Sequence, residues 1–324
     1  MSVNVSEIPA EAYDSERMEE LPFSLVCLDM DGTILNTEHQ LSQRTASVIN
    51  MLSACNVTIC IATGRSFPSV VEYVQKSLKL AQEIVPLICF NGSACMLLNT
   101  QTGELKQLFC DTIEKEKLTP LVQLCTDRSS GEEKDSVVLQ YYGHNGNVYV
   151  GSRFTQSELE KDLMRRYTEL SGNVQIVTDS YETLIQTGVL PVKCLALTPD
   201  VDRLLARASE SLPVGAFHMI RGSPFPFFAE FLRPDCTKGN AVEKLVAYLD
   251  SQEPQDQSTA RRYSLSRTIA FGDGENDIEM LRVVGHGVAM KNGCAAVRSA
   301  AKAVSGHTND EDGVARYLES IFFV

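Results

Sequence analysis

The sequence has no run of about 20 apolar residues, the length that a bilayer-spanning helix needs, and no basic start leading into an apolar stretch. Neither a membrane segment nor a targeting peptide is therefore expected. None of its ten cysteines (27, 55, 60, 89, 95, 110, 125, 194, 236 and 294) falls at C-x-x-C spacing, and most sit among Val, Ile and Leu. That pattern suits buried thiols in a reducing, cytoplasmic setting better than disulfides or a zinc site. The five histidines (39, 144, 218, 286 and 307) form no H-E-x-x-H or other ligand-spaced pair, and neither G-x-x-x-x-G-K-[S/T] nor a strand-linked G-x-G-x-x-G occurs. Imidazole metal chemistry and the nucleoside-triphosphate and dinucleotide folds are thus disfavoured. Basic residues are also short: 29 Lys and Arg against 42 Asp and Glu give a net charge of −13. Such a field repels nucleic acid and anionic membranes, so neither is expected as a partner.

What is present points to a packed globular chain. Of the 324 residues 44% are hydrophobic and 22% charged, and the length favours two domains, or one large domain with an insertion. Residues 1–20 carry −5 of the net charge and read as an acidic mobile leader. Short apolar runs at Leu25 to Met30, Val57 to Thr63, Pro86 to Asn91 and Thr268 to Gly272 each close on Gly, Asn, Asp or Thr, as buried strands ending at a site do. Helical patterns lie between and after them, at Ser42 to Ala54, Phe67 to Leu80, Lys238 to Leu249, Glu275 to Val284 and Asp312 to Phe322. This alternation implies an α/β fold with a Rossmann-like parallel sheet, its ligand crevice beyond the carboxyl ends of the strands.

From about Ser93 to Phe231 the pattern changes to strand pairs interleaved with helices, with hairpin chemistry at residues 99–103 and 143–146. An inserted α+β module is expected at 94–231, with the core formed by 21–93 and 232–324. Residues 250–267, rich in Gln, Ser, Arg and Asp, read as an exposed insertion loop in the core.

Asp29-Met30-Asp31-Gly32-Thr33 sets two carboxylates two residues apart at a strand end, which suits a nucleophile with a proton-handling neighbour. Gly272-Asp273-Gly274-Glu275-Asn276-Asp277 brings further oxygen ligands to another strand end, the donor set that Mg²⁺ prefers when a phosphate completes its shell. Thr63-Gly64-Arg65 offers a hydroxyl, backbone amides and a guanidinium, groups that hold phosphate. Each piece alone has a plain reading as a turn or a cap. They occur, however, in chain order together with Lys238, all at expected strand ends or at a helix start.

On these four motifs the chain from Leu25 to Leu318 resembles the haloacid dehalogenase superfamily, and within it the Cof-type sugar-phosphatase branch with an inserted C2-type cap. Asn91-Gly92-Ser93 resembles that branch's turn into the cap, and Gly287-Val288-Ala289-Met290-Lys291-Asn292-Gly293 its G-V-A-M-G-N-A segment, with Lys291 and Gly293 departing from the usual Gly and Ala. Lys291 reads as a solvated lysine. Asn309-Asp310-Glu311-Asp312-Gly313-Val314 matches the branch's N-D-E-D-G-V ending and reads as helix capping.

The resemblance implies that Asp29 attacks phosphorus, that Asp31 serves as acid and then base, and that Thr63 and Lys238 hold the transferring group. Mg²⁺ would be held by Asp29, the backbone carbonyl of Asp31, and Asp273, with Asn276 and Asp277 close by. Gly32, Thr33, Gly64, Arg65, Asn91 and Asn276 complete the implied phosphate-binding set. Balancing four carboxylates against Lys238 and Mg²⁺ leaves one negative charge, so Asp31 is expected to be protonated when substrate binds. The implied activity is Mg²⁺-dependent hydrolysis of a small phosphate ester such as a sugar phosphate. A hexose phosphomutase and a catalytically silent phosphate-sensing relative are the competing readings.

Overall fold

The computed structural model of the chain describes residues 21–126, 136–155, 157–222, 227–253 and 261–323. The acidic leader, at 1–20, lies outside the described residues. Two compact units emerge, one made of residues 1–109 and 237–324 and the other of Cys110–Cys236.

The first unit is built on β1 (Leu25–Leu28), β2 (Thr58–Ala62), β3 (Ile84–Cys89), β4 (Ala94–Asn99), β5 (Leu105–Cys110), β12 (Thr268–Gly272), β13 (His286–Ala289) and β14 (Ala303–Val304), in the order β14-β13-β12-β1-β2-β3-β4-β5. From β14 to β3 the pairings are parallel, and β4 joins antiparallel to β3. β1 sits between β12 and β2, and all four of its residues are fully buried. This is why its sequence is continuously apolar rather than alternating. Connecting and flanking helices are α1 (Gln43–Ala54), α2 (Phe67–Ser77), α7 (Lys238–Gln252), α8 (Ile278–Val283), α9 (Ala295–Ala300) and α10 (Gly313–Phe322). Their starts follow local chemistry: the Ser42 hydroxyl accepts from the Thr45 amide at 3.0 Å to cap α1, and the Thr237 hydroxyl accepts from the Asn240 amide at 3.2 Å to cap α7.

The second unit holds β6 (Val138–Gly143), β7 (Val148–Gly151), β8 (Gln175–Thr178), β9 (Pro191–Leu197), β10 (His218–Arg221) and β11 (Phe228–Leu232), ordered β10-β11-β9-β6-β7-β8. Only β7 and β8 pair in parallel among these. Its helices are α3 (Lys115–Thr126), α4 (Glu158–Ser171), α5 (Tyr181–Gln186) and α6 (Val201–Ser211).

Three expectations need correction. The insertion does not begin at residue 94. Ala94–Asn99 pairs in register with β3 from Cys89↔Ala94 to Ile84↔Asn99, so the hairpin around 99–103 extends the core sheet, and the second unit opens only at Cys110. The segment 250–267 is not wholly an exposed loop. α7 runs on to Gln252, and Tyr263 is buried with its hydroxyl 2.7 Å from that of Thr58; residues 254–260 lie outside the described residues. The helix expected from Glu275 is split into a 3₁₀ turn at Glu275–Asp277 and α8, because the Asp277 side chain takes the backbone amides of Asp273 and Gly274.

Among the described residues no helix is long and apolar enough to cross a membrane. All ten cysteines are free thiols; eight are buried, Cys110 is half-buried and Cys294 is exposed. Burial pushes the thiols of Cys55, Cys60, Cys95, Cys110, Cys125 and Cys194 upward, away from the reactive thiolate. In native protein a disulfide reagent is expected to modify Cys294 first and Cys110 more slowly, with the other eight reacting only on unfolding. Thiol titration with peptide mapping checks this, and early labelling of Cys27 or Cys60 would contradict the packing.

Candidate active site

β12, β1, β2 and β3 are neighbours in the sheet and run in the same direction. Their carboxyl ends therefore present Asp273, Asp29, Thr63 and Asn91 side by side. The centre of the group is an ion cluster. Lys238, the first residue of α7, is fully buried, and its Nζ donates to Asp29 Oδ1 and to Asp277 Oδ1, each at 2.6 Å. Burial works against the charged lysine, but Asp277 and Asp29 together raise its pKa above the ordinary value, so the ammonium persists. Burial also raises the Asp29 carboxyl well above its usual range, against the pull of Lys238.

Asp277 has both oxygens engaged. While Oδ1 meets Lys238, Oδ2 accepts from the amides of Asp273 and Gly274 at 3.0 Å each, fixing the turn that aims Asp273. Asp273 accepts from the Thr33 hydroxyl at 3.1 Å, and burial followed by the Asp277 charge lifts its pKa to about 7. Gly32 lies under this carboxylate at φ +75°, and a Cβ there would sit 2.3 Å from Asp273 Oδ2. Only glycine satisfies both the left-handed turn and that approach. Asp29, Asp273 and Asp277 offer carboxylate oxygens that all lie within 4.8 Å of one another. Three hard anionic donors at this spacing fit a small divalent cation.

The positions of Thr63, Gly64 and Asn91 depend on an unusual turn. Phe90, Asn91 and Gly92 all take positive φ, at 53°, 55° and 103°. A Cβ on Gly92 would stand 2.2 Å from the Thr237 carbonyl, so this turn packs directly on the cap of the helix that carries Lys238. The Asn91 amide donates to the Thr63 carbonyl at 3.1 Å, and the Asn276 side chain donates to Asn91 Oδ1 at 2.8 Å. Thr63 itself is buried, its hydroxyl accepting from the Arg65 amide at 3.2 Å.

Asp31 is forked by Arg65, with Nε on Oδ2 at 2.7 Å and Nη2 on Oδ1 at 2.5 Å, and with His39 Nδ1 at 3.3 Å from Oδ1. Burial alone would raise its pKa, but Arg65 and His39 together lower it, so without substrate the group tends towards the carboxylate. Arg65 adds a cation that the sequence-based charge balance left out.

His39 gave no sequence signal because no second ligand stands at a fixed spacing from it. Lys193, in the second unit, is nearly fully buried, with its Nζ 2.6 Å from Glu230 Oε1. Lys291 is half exposed, with its Nζ 3.5 Å from Glu311 Oε2, as a solvated lysine is.

With this geometry in hand, sequence and structure comparisons become interpretable. The model of the haloacid dehalogenase-like hydrolase family matches residues 26–318. The chain belongs to this family. Among curated haloacid dehalogenase relatives, it is 27% identical over 305 residues to the 5-amino-6-(5-phospho-D-ribitylamino)uracil phosphatase YitU of Bacillus subtilis, covering 94% of this chain and 99% of that protein. A haloacid dehalogenase-like hydrolase from Bacteroides thetaiotaomicron superimposes with a TM-score of 0.69 at 23% identity, over 93% of this chain and 100% of that one. A subclass IIB sugar phosphatase of the superfamily gives 0.68 at 22% identity, over 92% and 98%. As a haloacid dehalogenase-like hydrolase, the protein is a phosphoric monoester hydrolase, the class named for its two Bacillus subtilis relatives, a putative phosphatase and YitU.

The pKa of Asp273 makes a testable statement about stability. Its folded value of about 7 exceeds the ordinary 3.8, so between these values the folded chain holds a proton that the unfolded chain has released. Stability contributed by this group is present at the acid end and is lost as pH rises towards 7. In EDTA, the stabilisation of Asp273→Asn over wild type, read from urea midpoints, is expected to grow from pH 5 to about pH 7.5 and then level off. A difference independent of pH would contradict the assignment.

Proposed function

We propose that this enzyme is a Mg²⁺-dependent phosphatase of small phosphomonoesters, with sugar phosphates as the substrate class, and that it works through an aspartyl phosphate on Asp29. The observation that carries the reading is the buried Asp29 carboxylate, ion-paired to Lys238 at 2.6 Å and grouped with Asp273 and Asp277 at the strand ends.

In this reading an Asp29 oxygen attacks phosphorus as the bond to the leaving oxygen breaks, and Asp31 delivers the proton that the leaving alkoxide needs. Asp31 then takes a proton from the attacking water, and the bond between phosphorus and Asp29 breaks to release phosphate. The Arg65 fork favours this second half, since it keeps Asp31 a carboxylate ready to accept. For the first half Arg65 must relax its hold, and the incoming phosphate is the anion that competes for the guanidinium. Lys238 keeps Asp29 oriented and offsets charge on the transferring group, alongside the Thr63 hydroxyl and the amides of Gly32 and Gly64, while Thr33 acts through its bond to Asp273. Asn91 and Asn276 hold each other and fix the rim of the pocket. Asp29 and Asp273 would hold the Mg²⁺ together with the Asp31 carbonyl, Asp277 and Asn276 standing behind them. When bound, the metal neutralises charge on the phosphoryl oxygens.

Two measurements test the proposal. A panel of phosphate esters assayed with and without EDTA is expected to show metal-dependent release of free phosphate; isomerised sugar phosphate would point instead to a mutase, and silence across the panel to a sensor. Asp29→Asn, compared with wild type at a temperature where circular dichroism shows both folded, is expected to retain less than about 1% of kcat, since removal of a nucleophile costs several orders of magnitude. Retention of more than a few per cent would refute its role.

A further inference from the structure

Helix capping accounts for only part of the turn at Asn309–Glu311 and its successor Asp312. Glu311 does cap, accepting from the Thr308 amide at 2.9 Å. The other three polar residues reach out of the turn to the loop that follows Asp31. Asn309 donates from Nδ2 to the Leu35 carbonyl at 2.8 Å. Asp310 Oδ1 accepts from the Thr37 amide at 2.8 Å and from the Thr37 hydroxyl at 3.2 Å. Asp312 Oδ1 accepts from the Ser42 hydroxyl at 2.5 Å. A fourth tether runs through Asn292, which accepts from the Asn309 amide at 3.0 Å and donates to the Gly32 carbonyl at 2.8 Å.

The base of the loop is fixed by the Thr33, Ile34 and Leu35 amides, which all donate to the Met30 carbonyl, and by the buried Ile34 and Leu35 side chains. Beyond it, Asn36 Oδ1 takes the amides of Glu38 and Gln40 at 3.0 and 2.8 Å, which shapes a tight turn, and His39 adopts φ 57° at its tip with Nδ1 3.3 Å from Asp31 Oδ1. The exposed turn is then tied to the rest of the unit through the tethers at Thr37 and Ser42, with those at Gly32 and Leu35 bracing its base.

We propose that the 309–312 turn, with Asn292, is a positioning clasp for the catalytic loop. It keeps His39 against Asp31 and keeps Gly32 and Thr33 under Asp273. Asp310, Asn309 and Asn292 are positioning residues: they act through the loop, not on the phosphate. The inference rests on the reading of Asp31 as the proton-transfer group. A misplacement of about 1 Å at a reacting group costs on the order of a hundredfold in rate, whereas Thr63, Gly64 and Lys238, which carry most of the assigned phosphate contacts, lie on other elements.

Asp310→Ala is therefore expected to lower kcat ten- to a hundredfold with a much smaller change in KM, and to speed hydrogen exchange of the Leu35 to Gln40 amides. Asp310→Asn keeps the accepting oxygen and is expected to restore most of kcat. Arg44→Ala, which breaks the Arg44–Glu319 pair between α1 and α10, serves as a stability control that spares the loop. Unchanged exchange in Asp310→Ala, faster exchange with kcat intact, or kcat losses that merely track melting temperature in both Asp310→Ala and Arg44→Ala would each overturn the clasp. Wild-type protein inert towards every phosphate ester would overturn the phosphatase reading instead, and the exchange measurement would still decide whether the turn holds the loop.

Discussion

The structure of the catalytic unit depends on one ammonium group. Lys238 Nζ, with no exposure to solvent, is held between two carboxylates from different strand ends. A buried charge of this kind is tolerated only when paired, and removing one partner of such a pair typically costs about 3–5 kcal/mol. The lysine therefore dictates where α7 begins, how closely the Phe90–Gly92 turn must approach it, and which way Asp277 faces. Asp277 in turn spends its second oxygen on the 273–274 amides and so aims Asp273. Two of the four polar strand ends, those of β1 and β12, are thus linked through a single side chain.

The acidity of the pocket follows from the same arrangement. Asp29 and Asp273 are both pushed upward, chiefly by burial and with further repulsion from neighbouring carboxylates, so the cluster holds protons that it would exchange for a metal. Asp31 is the exception, because Arg65 and His39 both face it. Two carboxylates two residues apart in sequence are set to opposite protonation tendencies, Asp29 upward by burial and Asp31 downward by its cationic neighbours.

Much of this was legible in the sequence because parallel strands announce themselves twice, as continuous apolar runs and as abrupt polar ends. Asp29, Thr63, Asn91 and Asp273 were read that way, and Lys238 by its place in the order of the motifs, between Asn91 and Asp273. The misses share a physical cause. Nothing local in Arg65 reveals that its fork closes on Asp31, thirty-four positions away, and His39 reaches Asp31 only because its backbone turns left-handed. Asn309 and Asp310 looked like caps because helix-capping residues and long-range acceptors have the same side-chain chemistry. The boundary of the insertion was misplaced for a related reason, since a hairpin has the same turn signal whether its strands join one sheet or another.

The two halves of the ion cluster are separated by 209 positions in the chain. At typical rates of synthesis, about 5–20 residues per second, roughly 10–40 s pass between the appearance of Asp29 and that of its lysine. β1 also waits for β12, its neighbour on one side, until most of the chain has emerged. A nascent chain consequently carries Asp29 for most of its synthesis without the partners that orient and neutralise it, and the ion cluster can form only once the last quarter of the polypeptide has arrived.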